Sequence, residues 1–409
     1  MKKLKILLFI ILMSLSINVY AIEFDLNSQH AILYNLNDNS VLYEKSSKDK
    51  TSIASMTKIM TGIVAIENIE NLDNKVKLTY ADFAGLAEAN AAVAGFRIGE
   101  EVTYKDLLYG LMLPSGADAA QSLTRNIAGS TEKFIEMMNQ KAKELGCKNT
   151  HFVNPTGLDH QDHYSTVEDV ATIFQYAIEN EKFLEIIKTK TYTTSNGRLT
   201  FKSTIQRAKE RYGLGMDYVL GGKTGTTGDA GYCLATIANH NGVDYMLVTA
   251  KTVFPSNQPL NYQDAKTIYE YFMNNYSYKN VLSKKDKLVS IKTKYAKNDQ
   301  VTFYANKELE MYLENSYNKD ELIYKYSGIE EIPYDMKKGT KLGKVEVYNK
   351  DTLLTTVEIV LEEEQEFDLI KFIKINKFQV GIVILSIILL ITIITTLIIK
   401  KEKKKKKND

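Results

Sequence analysis

Residues 54–61 read ASMTKIMT, and this stretch decides how the first half of the chain folds. Apolar residues recur at helical spacing from it through Ile59, Ile63 and Ile66, which predicts a buried helix over residues 55–69. Ser55 and Lys58 are three residues apart, so the hydroxyl and the amine lie on one face of that helix. A lysine in apolar surroundings loses its proton more easily and can deprotonate a serine. The stretch therefore predicts Ser55 as a nucleophile and Lys58 as its general base.

The serine–lysine spacing alone is weak evidence for this chemistry, because it recurs at Ser47/Lys50, Ser130/Lys133 and Ser316/Lys319. Two further segments single out the pair at residues 55 and 58. Residues 114–120, PSGADAA, predict a turn that leads into a helix, and residues 222–227, GKTGTT, precede two predicted strands. The sequence contains no G-x-S-x-G elbow, no P-loop and no dinucleotide fingerprint.

In this order, the three segments resemble the motifs of penicillin-binding proteins and class A β-lactamases. Within that group the chain is most similar to the D-alanyl-D-alanine carboxypeptidases, the low-molecular-mass penicillin-binding proteins. The resemblance extends over residues 23–365 and includes residues 152–158, FVNPTGL, and residues 163–166, HYST. It implies an α/β (α+β) catalytic domain in which an antiparallel sheet carries helices on its faces beside a helical subdomain. A small all-β domain follows the catalytic domain in that family.

The resemblance implies catalytic roles for three residues. Ser55 would attack the carbonyl between two terminal D-alanines and form an acyl-ester, Lys58 would take its proton, and Ser115 would relay a proton toward the leaving amine. Water would then hydrolyse the acyl-enzyme and release a shortened peptidoglycan stem peptide, which limits crosslinking of the wall. β-Lactams would acylate the same serine as inhibitors. The resemblance implies neither a cofactor nor a metal.

The resemblance also implies a set of substrate-binding residues, which are Lys223, Thr224, Gly225 and Thr226. The two threonine hydroxyls would hold the terminal carboxylate of the substrate beside the positive charge of the lysine. The backbone N–H groups of Ser55 and Thr226 would form the oxyanion hole, a device that stabilises the charge developing in the transition state.

One position departs from the family pattern. The second motif of the family is usually S-x-N, and its third position is Ala117 in this chain. A methyl group cannot donate the hydrogen bond that an amide gives to the substrate, so we expect a weakened or narrowed activity. Two alternatives stay open: a D,D-endopeptidase on the same site, and a weakly active or non-catalytic wall-binding homologue. A β-lactamase is disfavoured because residues 151–165 contain no glutamate.

Changes of pattern along the chain predict six segments. They are a signal peptide (1–21), the catalytic domain (22–278), a small β-rich C-terminal domain (279–366), a linker (367–377), a transmembrane helix (378–399) and a basic cytoplasmic tail (400–409). Residues 1–21 have a lysine-rich start, a short apolar run and a cleavage-site-like end at Ala21, which are typical of a signal peptide. Residues 378–399 carry no charge and would span about 33 Å as a helix.

The net charge of +2 comes from the two ends of the chain. The lysine tail directly follows the uncharged span, which is the arrangement expected of a cytoplasmic flank. The protein is therefore expected to be exported and anchored to the cytoplasmic membrane, with its catalytic domain outside the cell. The body between the two ends is acidic, so the sequence predicts no nucleic-acid partner.

Cysteine and histidine residues predict no further site. Cys147 and Cys233 are too few for a disulfide framework, and we expect two buried free thiols. His160 and His163 lie in a loop-forming stretch and lack a third ligand, which argues against a metal centre there.

Overall fold

The computed structural model describes residues 22–405, and its fold opens with a hairpin. The predicted signal peptide, residues 1–21, lies outside the described residues. The chain divides into two units, of which the first ends at Asn275 and the second begins at Tyr276. In chain order the first unit contains β1 (Ser28–Asn35), β2 (Ser40–Lys45), α1 (Thr57–Glu67), β3 (Lys75–Lys77), β4 (Glu101–Thr103), α2 (Tyr104–Met112), α3 (Ala117–Ala128), α4 (Thr131–Glu144), α5 (Val167–Glu179), α6 (Glu181–Lys188), β5 (Thr191–Thr193), β6 (Thr200–Lys202), α7 (Thr204–Tyr212), β7 (Val219–Thr227), β8 (Gly231–His240), β9 (Val243–Thr252) and α8 (Leu260–Asn275).

Five strands of the first unit form one antiparallel sheet in the order β2-β1-β9-β8-β7. Helix α5 packs on β1 and β9, and α8 packs on β1, β8 and β9. Because helices cover these strands, β8 and β9 are buried at most positions, as the predicted apolar runs there require. Strand β7 lies at one edge of the sheet and carries the segment 222–227. The predicted α+β arrangement is confirmed.

Helix α1 lies at the centre of the first unit. A 3-10 turn, Ala54–Met56, leads into it, and residues 57–65 are all buried. It packs against α2, α3, α4, α5 and α6, as expected of a helix that is apolar on every side. The predicted helix over residues 55–69 is confirmed, with its regular part confined to Thr57–Glu67. As a result, Lys58 is embedded in the core of the unit.

The sequence places a capping box at residues 165–168, and this prediction is wrong by one residue. Thr166 caps α5, because its side chain accepts a hydrogen bond from the backbone N–H of Asp169. Ser165 is held outside the helix in a bridge with Thr51, and its hydroxyl pairs with the Thr150 hydroxyl at 2.7 Å. Local sequence rules select Ser165 as the cap, but its tertiary contacts with Thr51 and Thr150 keep it from that position.

Among the described residues, the second unit contains eight strands and two α-helices. They are β10 (Tyr276–Leu282), β11 (Lys287–Lys294), β12 (Gln300–Tyr304), β13 (Leu309–Glu314), β14 (Leu322–Gly328), β15 (Glu331–Pro333), β16 (Lys341–Asn349), β17 (Thr352–Val360), α9 (Leu369–Ile375) and α10 (Lys377–Lys405). The strands form small sheets in the orders β10-β13, β12-β11-β15 and β14-β16-β17. Their apolar side chains enclose a separate core. The predicted all-β region is confirmed.

The segment after the strands is more ordered than its composition indicates. Residues 369–375, which the sequence analysis places in a linker, form α9. Helix α10 follows directly and is apolar and long enough to cross a membrane. Cys147 and Cys233 are free and buried, as predicted.

Candidate active site

The first pair of predicted residues meets where the 3-10 turn enters α1. The Lys58 ammonium donates a hydrogen bond to the Ser55 hydroxyl oxygen at 2.9 Å and a second one to the carbonyl oxygen of Thr156 at 2.6 Å. Lys58 is 2 % exposed. Burial lowers the pKa of Lys58 from its ordinary value to about 7, while the negative charge of Asp118 opposes the shift. At neutral pH a substantial fraction of this amine is therefore unprotonated and able to accept a proton.

The second pair joins the turn before α3 to the edge strand β7. The Lys223 amine donates to the Ser115 hydroxyl oxygen at 2.8 Å and to the Thr224 carbonyl oxygen at 2.8 Å. Lys223 is fully buried, and its burial holds its pKa well below the ordinary value, with the positive charges of Lys58 and Arg207 adding to the effect. Lys58 is thus close enough for its positive charge to oppose protonation of Lys223.

Ser115 occupies a strained backbone conformation. Its φ is +71°, in the left-handed region that non-glycine residues rarely adopt. The turn is held by Asp118, which is fully buried and accepts backbone hydrogen bonds from Ala94, Gly95 and Phe96 at 2.7, 3.0 and 3.2 Å. Such strain persists only where surrounding contacts enforce it, and it is common at functional sites.

Ala117, the departure from the family pattern, begins α3 beside the same turn. Its backbone N–H donates to the Ala92 carbonyl at 2.7 Å, and the residue is 1 % exposed. A Cβ on the preceding Gly116 would lie 2.7 Å from the Ala94 Cβ. The wall of the site on the Ser115 side is therefore built from small residues in close contact.

Strand β7 brings the remaining predicted residues alongside Ser55. A Cβ on Gly225 would lie 2.9 Å from the Ala54 Cβ and 3.0 Å from the Ser55 backbone nitrogen, so only glycine fits. Thr224 donates from its hydroxyl to the Thr204 hydroxyl of α7 at 2.9 Å, and Thr226 is exposed. Ser55 thus lies against an edge strand whose outer side pairs with no other strand among residues 22–405.

Sequence reasoning missed the loop that supports Lys58. The side-chain oxygen of Asn154 accepts hydrogen bonds from the backbone N–H groups of Thr156, Gly157 and Leu158 and from the Thr156 hydroxyl. These bonds fix the carbonyl to which Lys58 donates. Gly157 has a φ of +83°, and a Cβ there would approach the Ala54 carbonyl oxygen to 2.0 Å. The Asn-Pro-Thr-Gly stretch is a turn signal that could have marked this loop.

His163 is a buried structural residue. Its Nδ1 accepts from the Val153 backbone N–H at 3.2 Å, so its Nε2 carries the proton and donates to the Thr57 hydroxyl at 2.7 Å. Burial lowers the pKa of His163 to about 4, which keeps the ring neutral. Among residues 22–405, no group of three histidine, cysteine, aspartate or glutamate side chains is arranged to hold a metal ion.

Two family profiles match the chain, one for each unit. The profile described as D-alanyl-D-alanine carboxypeptidase matches residues 17–252, and the profile described as penicillin-binding protein 5, C-terminal domain, matches residues 276–366. The first profile alone covers more than half of the chain.

Curated proteins give the same result. The chain is 28 % identical to the D-alanyl-D-alanine carboxypeptidase DacF of Bacillus subtilis over 83 % of this chain and 86 % of that protein. It is 35 % identical to a D-alanyl-D-alanine carboxypeptidase of a Streptomyces species over 57 % of this chain and 82 % of that protein. It is also 30 % identical to a D-alanyl-D-alanine endopeptidase of Escherichia coli over 55 % of this chain and 72 % of that protein.

Solved structures agree in fold. A Streptomyces DD-transpeptidase matches with a TM-score of 0.55 and 32 % identity, covering 61 % of this chain and 98 % of that one. The D-alanyl-D-alanine carboxypeptidase DacD of Francisella tularensis matches with a TM-score of 0.67 over 86 % of this chain and 96 % of that one, and at 20 % identity it shows the fold alone. The chain therefore belongs to the D-alanyl-D-alanine carboxypeptidase family and is a serine-type D-Ala-D-Ala carboxypeptidase, a hydrolase.

Proposed function

We propose that the protein removes the terminal D-alanine from peptidoglycan stem pentapeptides through an acyl-enzyme on Ser55. The observation that carries this proposal is the hydrogen bond between the buried Lys58 amine and the Ser55 hydroxyl oxygen, at 2.9 Å. Because the pKa of Lys58 is lowered to about 7, the amine is matched to a general base that works at neutral pH.

In the first half of the reaction, neutral Lys58 takes the proton of Ser55 as its oxygen bonds to the carbonyl carbon between the two D-alanines. The carbonyl π electrons move to oxygen, which accepts hydrogen bonds from the backbone N–H groups of Ser55 and Thr226. One such donor contributes about 3 kcal/mol to transition-state stabilisation. The C–N bond then breaks, and the proton that Lys58 took passes through Ser115 to the leaving amine, which returns Lys58 to its neutral form and leaves an ester on Ser55.

In the second half, water adds to the ester carbonyl and loses its proton to Lys58. The C–O bond to Ser55 then breaks, and the serine oxygen recovers a proton from Lys58. One D-alanine and one shortened peptide are formed per turnover. The removal of the terminal D-alanine takes away a donor for crosslinking.

Substrate binding is proposed at the edge strand β7. An extended peptide can add to an open sheet edge through main-chain hydrogen bonds, and Gly225 lets the backbone of β7 come within contact distance of Ser55. Thr224 and Thr226 would offer hydroxyls to the terminal carboxylate, and the negative charge of that carboxylate would favour the protonated, positively charged form of Lys223. The same geometry accepts β-lactams as covalent inhibitors, since they acylate the serine.

The endopeptidase alternative has one observation in its favour, which is the similarity to the E. coli protein named D-alanyl-D-alanine endopeptidase. Such an enzyme would use the same residues on a crosslinked peptide. The two activities differ in the group that leaves, which is free D-alanine in one case and a second stem peptide in the other.

We also propose that α10 anchors the protein in the cytoplasmic membrane with the catalytic unit outside the cell. The proposal rests on the 22 uncharged residues 378–399 followed by a lysine-rich segment, an arrangement that favours a cytoplasmic C-terminus. Export would depend on residues 1–21.

The proposed nucleophile is tested by incubating the full chain with a D-Ala-D-Ala pentapeptide and, separately, with penicillin. We expect release of D-alanine and a penicilloyl adduct by intact mass, and loss of both in Ser55→Ala. Ser316→Ala removes an exposed serine with the same spacing to a lysine and should keep both signals. An adduct that survives Ser55→Ala would overturn the assignment. A crosslinked peptide dimer offered in parallel separates carboxypeptidase from endopeptidase activity.

The pH dependence of acylation tests the role of Lys58. Only the neutral amine accepts the serine proton, and the pKa of Lys58 is lowered to about 7, so the acylation rate with penicillin should rise with pH and level off above an inflection near 7. Lys58→Arg keeps a positive charge that does not titrate in this range. This variant should lose acylation by penicillin and, with it, the increase of the rate with pH. A rate that is flat from about pH 5 to 9 contradicts a neutral-lysine base.

The effect of Ala117 is tested by Ala117→Asn. We expect turnover of the pentapeptide to rise about fivefold, because one regained hydrogen bond contributes about 1 kcal/mol. Ala117→Ser is the control for added volume, since Ala117 is 1 % exposed. If turnover stays unchanged or falls in Ala117→Asn, Ala117 does not weaken the binding of substrate.

The loop that supports the base is tested at Asn154. Asn154→Ala leaves three backbone donors and one hydroxyl without their acceptor, so the Thr156 carbonyl should lose its fixed position against Lys58. We expect acylation to slow by about tenfold or more, since each unmet donor costs about 1–3 kcal/mol. A displaced Thr156 carbonyl no longer accepts a hydrogen bond from the protonated Lys58 amine, which lowers the pKa of Lys58. The inflection in the pH dependence of acylation should therefore move to lower pH.

Two variants serve as controls for that experiment. Asn154→Asp keeps the accepting oxygen and should retain more activity than Asn154→Ala. Asn126→Ala removes an amide whose side chain bonds only within α3 and should leave the rate and the inflection unchanged. If Asn154→Ala slows acylation without moving the inflection, the loop acts on stability rather than on Lys58.

A further inference from the structure

Helix α7 borders the strand that carries the proposed substrate-binding residues. The Thr224 hydroxyl of β7 donates a hydrogen bond to the Thr204 hydroxyl in the first turn of α7 at 2.9 Å. A Cβ on Gly222 would lie 2.9 Å from the Ile205 Cδ1, so the backbone of β7 and the helix are in contact. The Thr204 backbone N–H also donates to the carbonyl oxygen of Leu113, in the segment between α2 and α3, at 3.1 Å. The start of α7 is therefore fixed beside the active site.

Arg207 lies on the same side of α7 as Thr204. Residues three apart on a helix are neighbours on its surface, and Arg207 is exposed. Arg125 and Arg198 each pair with a carboxylate of the first unit. Within residues 22–405, by contrast, the Arg207 guanidinium pairs with no carboxylate and donates no hydrogen bond. Its N–H donors and its charge are therefore available to an anion that comes from outside the chain.

The charge of Arg207 acts inside the site as well as at its surface. Burial holds the pKa of Lys223 well below its ordinary value, and the positive charges of Lys58 and Arg207 add to the effect. Burial also raises the pKa of Tyr262 at the start of α8, and the charge of Arg207 opposes that rise. Since the interaction between charges weakens with distance, the guanidinium is close to both side chains. A fixed positive charge therefore lies near the amine of Lys223.

Lys223 is a weak source of the charge that first attracts a carboxylate. Its lowered pKa makes the neutral amine the favoured form until an anion binds beside it. Its donors are also engaged by the Ser115 hydroxyl and the Thr224 carbonyl, each at 2.8 Å. A guanidinium stays protonated and fits a carboxylate with two parallel hydrogen bonds. Arg207 is thus the better match to a carboxylate that arrives from solution.

We propose that Arg207 binds the terminal carboxylate of the substrate next to the Thr224 hydroxyl, which makes α7 part of the substrate site. The inference rests on the proposed release of D-alanine and identifies the group that recognises a free C-terminus. The Thr224 hydroxyl would turn from Thr204 to the carboxylate, and the Thr204 hydroxyl would remain as a neighbouring donor. A peptide whose C-terminus is amidated would lose the charge-assisted hydrogen bonds to Arg207.

Arg211 offers a matched control on the same helix. It is exposed, lies one turn beyond Arg207, and its guanidinium carbon is 5.3 Å from the ring centroid of Tyr212. Arg207→Gln and Arg211→Gln remove the same charge from α7, so a general effect of surface charge on anionic ligands is common to both. Arg207→Lys keeps the charge but loses the planar pair of donors. Because Arg207 is exposed and makes no hydrogen bond from its guanidinium in the described part of the chain, its substitution should leave the melting temperature unchanged.

The experiment compares ligands with and without a free carboxylate on the full chain. Acylation rates are measured with penicillin and with penicillin methyl ester, and kcat/KM is measured with a D-Ala-D-Ala pentapeptide and with its C-terminal amide. We expect Arg207→Gln to slow the reactions of penicillin and of the free peptide by about tenfold or more, which is the loss of one charge-assisted hydrogen bond. The reactions of the ester and of the amide should keep their rates. Arg207→Lys should recover part of the loss, and Arg211→Gln should show none.

An equal loss with charged and neutral ligands would indicate that Arg207 only supports the structure of the site, and it would overturn the proposal. A preference for the free carboxylate that survives Arg207→Gln would also overturn it and assign the carboxylate to Lys223. The proposed function is judged separately, by whether the unsubstituted chain releases D-alanine. If it does not, but Arg207→Gln still slows acylation by penicillin and not by the ester, the release of D-alanine is wrong and the carboxylate site stands.

Discussion

The burial of two lysine amines beside two serine hydroxyls is the constraint on which the site depends. An ammonium group taken out of water loses several kcal/mol of solvation, and here Lys58 and Lys223 are both buried within reach of each other's charge. The penalty falls if an amine is unprotonated, and the proposed role of Lys58 as a general base requires that form. The apolar packing of α1 and of the edge strand β7 thus buries both amines, and the hydroxyls and carbonyls around them accept their hydrogen bonds.

The core of the site follows from the sequence because its residues belong to short local patterns. Ser55 and Lys58 are one helical turn apart, and the apolar residues around them predict a buried helix. Ser115 and Lys223 are 108 residues apart, and only the resemblance to a known family joined them. The structure brings them together because α3 and β7 both pack around the start of α1.

The parts that sequence analysis missed depend on contacts between distant residues. Thr156, which Asn154 holds in place, supports Lys58 from 98 residues away, and nothing near Thr156 in the sequence indicates this partner. Ser165 reads as a helix cap, but pairing with Thr51 removes it from that role. Residues 369–375 are too few to show a reliable helical period, and α9 is held by Tyr295 and Asp299, which lie on another element.

Strand β7 has a further consequence, which concerns aggregation. An open sheet edge that accepts a peptide can also accept a strand of another chain. The β7 strand contains Gly221, Gly222 and Gly225, and glycine weakens a strand and offers no side chain for steric packing. A Cβ at each position would clash with neighbouring atoms, so the glycines are required for the close approach of β7 to its neighbours. The same requirement makes the open edge a poor template for uncontrolled strand pairing, so the glycines of β7 would let the edge stay accessible to the proposed substrate without promoting aggregation.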